Sequence, residues 1–140
     1  MNKKGFTIIE LLAVIVIIAI VTTIASVGIG SIKNAINKNL LETKKDVVIA
    51  GAKLYGQDNR VLLTETNNIG SNTYSKSLLR TVHQLRDYID LTEDCVDKDN
   101  KKYKCIKSDV NGKSLNDARV LIYEENNRVY ATFFNEEDFN

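Results

Sequence analysis

Lys3-Lys4-Gly5-Phe6-Thr7-Ile8-Ile9-Glu10-Leu11-Leu12, followed by an uncharged apolar run from Ala13 to Ile29, decides how this chain is read. Two lysines precede the run, a glycine and a phenylalanine mark its edge, and one carboxylate, Glu10, lies inside it. From Phe6 to Ile29 the segment is long enough to cross a bilayer as a helix, because about 20 apolar residues at roughly 1.5 Å each span the hydrocarbon core. An ionised carboxylate near the centre of a span costs about 2.5 kcal/mol or more. The run holds no basic residue to answer Glu10. That leaves a group on another chain, or a charge made by processing, as its partner.

The unbroken order Lys4-Gly5-Phe6-Thr7-Ile8-Ile9-Glu10-Leu11-Leu12 resembles the prepilin signal of type IV pilins and pseudopilins, in its short class III, Gram-positive-like form. The resemblance implies that a membrane-embedded prepilin peptidase cuts between Gly5 and Phe6 and that the new amine of Phe6 is methylated. It implies an assembly role for Glu10, which in the family meets the terminal ammonium of a neighbouring subunit. The physics agrees. Cleavage creates an ammonium at the head of a helix, Glu10 follows four residues later on the same face, and a carboxylate suits the positive end of the helix dipole. A buried carboxylate is tolerable with a partner and costly without one. Two plainer readings compete. A Sec signal peptide would be cut after Thr23-Ile24-Ala25, before Ser26, but its core would not carry Glu10 so early. A plain membrane anchor accounts for the hydrophobicity and gives no reason for Gly5-Phe6 or Glu10.

Helical periodicity continues beyond the apolar run. Ile32, Ile36, Leu40, Val47, Gly51 and Leu54 recur at three- to four-residue steps or their multiples, and Leu41, Val48, Ala52 and Tyr55 widen the stripe. Lys33, Lys38, Glu42, Lys44, Lys45 and Asp46 take the other side, as in an amphipathic helix with a broad core-facing stripe. Joined to the run, this predicts one helix from about Thr7 to about Tyr55, roughly 70–80 Å long, stopped at Gly56-Gln57-Asp58-Asn59. With no proline anywhere, Gly28 and Gly30 are the nearest substitutes for a flexible point.

After the helix, Arg60 to Ser77 reads as a connection, with at most a short strand at Arg60-Val61-Leu62-Leu63. Ser77 to Tyr88 reads as a second, short helix presenting Leu78, Leu79, Val82, Leu85 and Ile89. Tyr103 to Lys107, Ala118 to Glu124 and Arg128 to Phe134 read as strands, with a tight hairpin at Asn126-Asn127 and a turn at Asn111-Gly112. Asn135 to Asn140 is an acidic tail. The fold class expected is therefore α+β and pilin-like: a long N-terminal α-helix, its first half transmembrane, packed on a small antiparallel β-sheet head of three or four strands. The division is a leader at residues 1–5, a transmembrane or filament-core half-helix at 6–30, and the amphipathic half-helix with the head at 31–140.

The 140 residues suit one domain plus one anchor, and a formal charge of +1 gives no global signal for nucleic acid. Losing Lys3 and Lys4 with the leader takes +1 to −1. Cys95 and Cys105 are the only cysteines. In the extracytoplasmic head that the resemblance implies, a Cys95–Cys105 disulfide is permitted and would add about 2–3 kcal/mol; two reduced thiols are the alternative. Two cysteines and one distant histidine do not make a zinc set. Glu93, Asp94, Asp97 and Asp99 do not follow the order of a calcium loop. His83 reads as a surface or edge histidine. No catalytic residue, cofactor or metal is expected. Lysines 98, 101, 102, 104 and 107, with Tyr103 among them, leave DNA as a weak further partner.

The resemblance implies a structural subunit of an extracellular filament, a fimbrium used for adhesion, motility, DNA uptake or secretion. Its expected partners are copies of itself or other pilins, the prepilin peptidase, a platform protein with an assembly ATPase, and membrane lipid before assembly. It places the chain in the cytoplasmic membrane, single-pass with the head outside, and then in the filament on the cell surface. The alternative class is an anchored or secreted binding module that does not polymerise. Glu10 separates the two, because only assembly gives it work.

Overall fold

Leucine, isoleucine, valine and alanine dominate the first half of the chain, no proline interrupts it, and the result is one long helix. A computed structural model of the protein describes residues 8–135, and of residues 23–28 the backbone alone. Helix α1 runs Ile8–Asp58, 51 residues, with Glu10 as the acidic residue of its first turn. It ends where the sequence places the stop: Asn59 follows, its amide and its side chain both bonded to the Tyr55 carbonyl, at 3.0 and 2.9 Å. The chain divides into two compact units, residues 1–37 and 38–140.

The first unit is helix alone among the described residues. Its apolar side chains from Ile8 to Val21, and again at Ile29, Ile32 and Ile36, are exposed. The Thr22 hydroxyl turns back onto the carbonyls of Ile18 and Ala19, at 2.9 and 3.0 Å, so it adds no open polar group to this surface. Among the described residues no helix is long and apolar enough to cross a membrane.

The second unit is built of strands around the end of α1. β1 (Glu65–Ile69), β2 (Asn72–Thr81), β5 (Arg119–Glu125) and β6 (Arg128–Phe133) form an antiparallel sheet in the order β1-β2-β5-β6. β3 (Glu93–Val96) and β4 (Lys102–Cys105) form a separate antiparallel pair. Leu41, Val48 and Ala52 of α1, one face at helical spacing, enter a core with Leu78, Val82, Leu85, Ile89, Ile106, Leu115, Val120, Ile122 and Val129. The β5–β6 hairpin turns at Asn126-Asn127, both with positive φ (49° and 62°), the geometry that asparagine tolerates in a two-residue turn. A four-stranded antiparallel sheet with a long N-terminal helix is the α+β, pilin-like arrangement expected.

Three expectations are corrected. Arg60 to Ser77 is not a loop: after a 3-10 turn at Arg60–Leu62, β1 and most of β2 occupy it. β1 is a polar edge strand, with neither the alternation nor the β-branched run that marks a half-buried one, and Gly70 at φ +58° makes the turn into β2. Ser77 to Tyr88 is not a helix either. Ser77–Thr81 ends β2, and Val82–Leu85 is one 3-10 turn capped reciprocally by Thr81 and Gln84. Val82 and His83 donate their amides to Ala118 and Asn116, 3.0 Å each, so tertiary pairing takes the backbone bonds a helix would need. The stripe on α1 is also rotated: Leu41, Val48 and Ala52 face the core, while Leu40, Val47 and Leu54 are 46–54% exposed.

Candidate assembly site and stapled hairpin

Gly5 and Phe6, the expected cleavage and methylation positions, lie outside the described residues. Glu10 lies within them, in the first turn of α1, exposed among Ile8, Ile9, Leu11 and Leu12. It is the only acidic residue in that turn. A carboxylate there is stabilised by the amide end of the helix. Flanking isoleucines and leucines at 53–80% exposure make an apolar surface that this chain alone does not cover.

Cys95 and Cys105 are joined by a disulfide, Cα–Cα 5.9 Å, with both residues buried. They lie diagonally on β3 and β4, two register positions apart, since Cys95 faces Tyr103 and Cys105 faces Glu93. Asp97 closes the connecting turn, its Oδ1 accepting the amides of Asp99 and Lys101 at 2.9 and 2.8 Å. Asp94 pairs with Lys104 at 2.8 Å, and the hydrogen bond and charge of that lysine hold its carboxyl below the usual range. Lys98, Lys101 and Lys102 stand exposed on the hairpin.

Lys44, expected on the solvent side, is instead half-buried and ties α1 to this hairpin. Its Nζ donates to both Glu93 oxygens at 3.1 and 3.2 Å and to the Lys107 carbonyl at 2.9 Å, and lies 2.8 Å from Asp109 Oδ2. Asp109 Oδ2 is enclosed, and the Lys44 ammonium is the charge that answers it. Burial pulls the Lys44 ammonium toward its neutral form, but hydrogen bonds and charge from Asp109 and Glu93 outweigh it and raise its pKa. Its charge is the signal that misled the sequence reading: a lysine at such a position is ordinarily solvated, and only the fold brings two acids to it.

His83 is exposed, its Nε2 3.3 Å from Arg86 Nη1. Among the described residues no group of three His, Cys, Asp or Glu side chains is placed to hold a metal. No curated protein and no solved structure matches the chain. Its beginning is different: residues 1–26 match the family model for the prokaryotic N-terminal methylation motif, the class III signal of type IV pilins.

Proposed function

We propose that this protein is a structural subunit of a type IV pilus-like filament, cut between Gly5 and Phe6, methylated on Phe6 and assembled through α1. The observation that carries the reading is the methylation motif over residues 1–26, running into a 51-residue helix whose apolar side chains from Ile8 to Val21 are exposed in the single chain. An apolar surface of this extent needs lipid before assembly and other helices after it. With the run from Phe6 to Ile29 as the anchor, the second unit lies outside the membrane, where a disulfide persists. Glu10 takes the assembly role, answering the Phe6 ammonium of the next subunit. The partners are other copies or other pilins, the prepilin peptidase, and a platform protein with its ATPase.

The test is intact-mass analysis of subunits from the membrane and from sheared surface material. A methylated N-terminus at Phe6 in both fractions is the expected result. A terminus at Ser26 means a Sec signal peptide. Correctly processed subunits absent from surface material mean an anchored module that does not polymerise.

A further inference from the structure

Lys44, Glu93 and Asp109 meet from three parts of the second unit: α1, β3 and the segment that follows β4. Lys44 Nζ lies 2.8 Å from Asp109 Oδ2 and 3.1 Å from Glu93 Oε1. The three side chains are only 25%, 24% and 34% exposed, in the order Lys44, Asp109, Glu93. Asp109 Oδ2 itself is enclosed. Both ends of Lys107 hold the cluster in place. Its amide donates to Glu93 Oε2 at 2.7 Å, and its carbonyl accepts from Lys44 Nζ at 2.9 Å. The nitrogen and the second carboxyl are thus fixed relative to each other.

This arrangement goes beyond what an ion pair requires. It places a nitrogen nucleophile, a carboxyl carbon and an acid–base group within reach of one another. The carboxyl carbon of Asp109 is one bond from the oxygen that Lys44 meets, so the nitrogen stands close to the roughly 3–3.5 Å of a near-attack pair. A cleft of about 340 Å³, with Lys44, Glu93, Val47 and Ile106 in its lining, opens at the same point and gives a released water a way out.

We propose that Lys44 and Asp109 condense into an intramolecular amide, a covalent cross-link from α1 to the segment behind the stapled hairpin, with Glu93 as the acid–base residue. Glu93 carries one proton from the Lys44 ammonium to the Asp109 carboxylate, which leaves an amine and a carboxylic acid. Nζ then attacks Cγ of Asp109 and forms the N–C bond. Glu93 takes a second proton from the nitrogen and gives it to the departing hydroxyl. The C–O bond breaks, one water leaves, and Glu93 ends as it began. Between separate molecules in water the reverse reaction wins. Groups held in reacting geometry have effective molarities of about 10⁵–10⁸ M, which favours condensation. Burial favours the amine form of Lys44, but hydrogen bonds and charge from Asp109 and Glu93 outweigh it. The ammonium therefore prevails, and the cross-link forms slowly, after folding. It needs only the folded second unit and stands apart from the filament reading.

The experiment weighs full-length protein, reduced after days of incubation in the folded state, against the mass of its sequence. The expected mass is lower by one water. Peptide mapping is expected to find the peptides of Lys44 and Asp109 joined, with Lys44 resistant to trypsin and to acetylation. Lys44→Arg and Asp109→Ala are expected to keep their full mass. Asp109→Asn is expected to reach the wild-type product by losing ammonia in place of water. Glu93→Gln is expected to slow the mass loss about 100-fold, with Val120 and Ile122 amides still protected from exchange. Full mass and an acetylatable Lys44 in folded wild-type protein overturn the cross-link, as does a water lost at any other position. Equal rates in Glu93→Gln and wild type overturn the role of Glu93. Where Glu93→Gln does not fold, the wild-type mass and map decide alone.

Discussion

Gly51 and Gly56 set how closely α1 approaches the rest of the second unit. A Cβ on Gly56 would fall 2.5 Å from Ile122 Cγ2 and 2.7 Å from Val129 Cγ1. On Gly51 it would fall 2.5 Å from Ile89 Cγ1 and 2.7 Å from the Tyr88 carbonyl oxygen. The Gly51→Ala substitution weighs two opposing effects. Alanine in a helix interior gains about 1 kcal/mol over glycine. Overpacking costs about 1–3 kcal/mol, and a backbone oxygen cannot step aside as a flexible side-chain end does. The backbone clash puts the cost at the upper end of that range, so the expected result is a net loss of up to about 2 kcal/mol in urea unfolding. An unchanged or raised midpoint would mean that α1 does not lie this close to Tyr88. The sequence placed Gly51 on the core-facing stripe, and the structure agrees. It assigned Gly56 only to the helix stop, because nothing local shows that β5 and β6 pass there.

At the scale of elements, the β3–β4 hairpin depends most on its staple. Each strand has four residues, and a two-stranded hairpin alone is marginal in water. Two other ties reach it: Lys44 through Glu93, and the buried Asn116, whose amide donates to the Lys104 carbonyl at 2.9 Å. The disulfide closes a sequence separation of ten, about 2–3 kcal/mol in the chain-entropy account. Reduction is expected to lower stability by that amount, with β3 and β4 amides losing hydrogen-exchange protection before Val120 and Ile122 of β5. Unfolding at the same midpoint with and without reductant would remove the staple from the argument. The elements misread from sequence have a shared cause. Leu78, Val82, Leu85 and Ile89 are all buried, as the helical reading required, but a strand followed by a 3-10 turn delivers the same side chains to the core. Periodicity over so short a span does not separate the two.

For the whole molecule, it is the assembly role proposed for Glu10 that connects the fold of one chain to the behaviour of many. If its carboxylate served only the single chain, Glu10→Ala would be neutral or would favour membrane insertion by a few kcal/mol. If it answers the Phe6 ammonium of a neighbour, alanine leaves that ammonium buried without a counter-charge, at a cost of about 3–5 kcal/mol per contact. The expected outcome is divided. Membrane level and processing stay near normal, because cleavage in the family depends mainly on the glycine, while incorporation into sheared filaments collapses. Immunoblots of the two fractions read both halves. Normal incorporation in cells without wild-type subunits would end the pairing mechanism and leave the motif untouched.

What the sequence determined by itself is local and ordered along the chain. The methylation motif is a contiguous string, α1 follows from an uninterrupted supply of helix-forming residues, and the Asn126-Asn127 turn follows from residues that tolerate positive φ. Only the tertiary structure decided which face of α1 is buried, since Leu40, Val47 and Leu54 are as apolar as Leu41, Val48 and Ala52 and differ only in what the sheet covers. It alone paired the polar strand β1 with β2, because its stability comes from a neighbour's backbone and not from its own side chains. It alone made Lys44 a tie between α1 and the hairpin, because Glu93 and Asp109 are distant in sequence and meet it only when the chain has closed around the core.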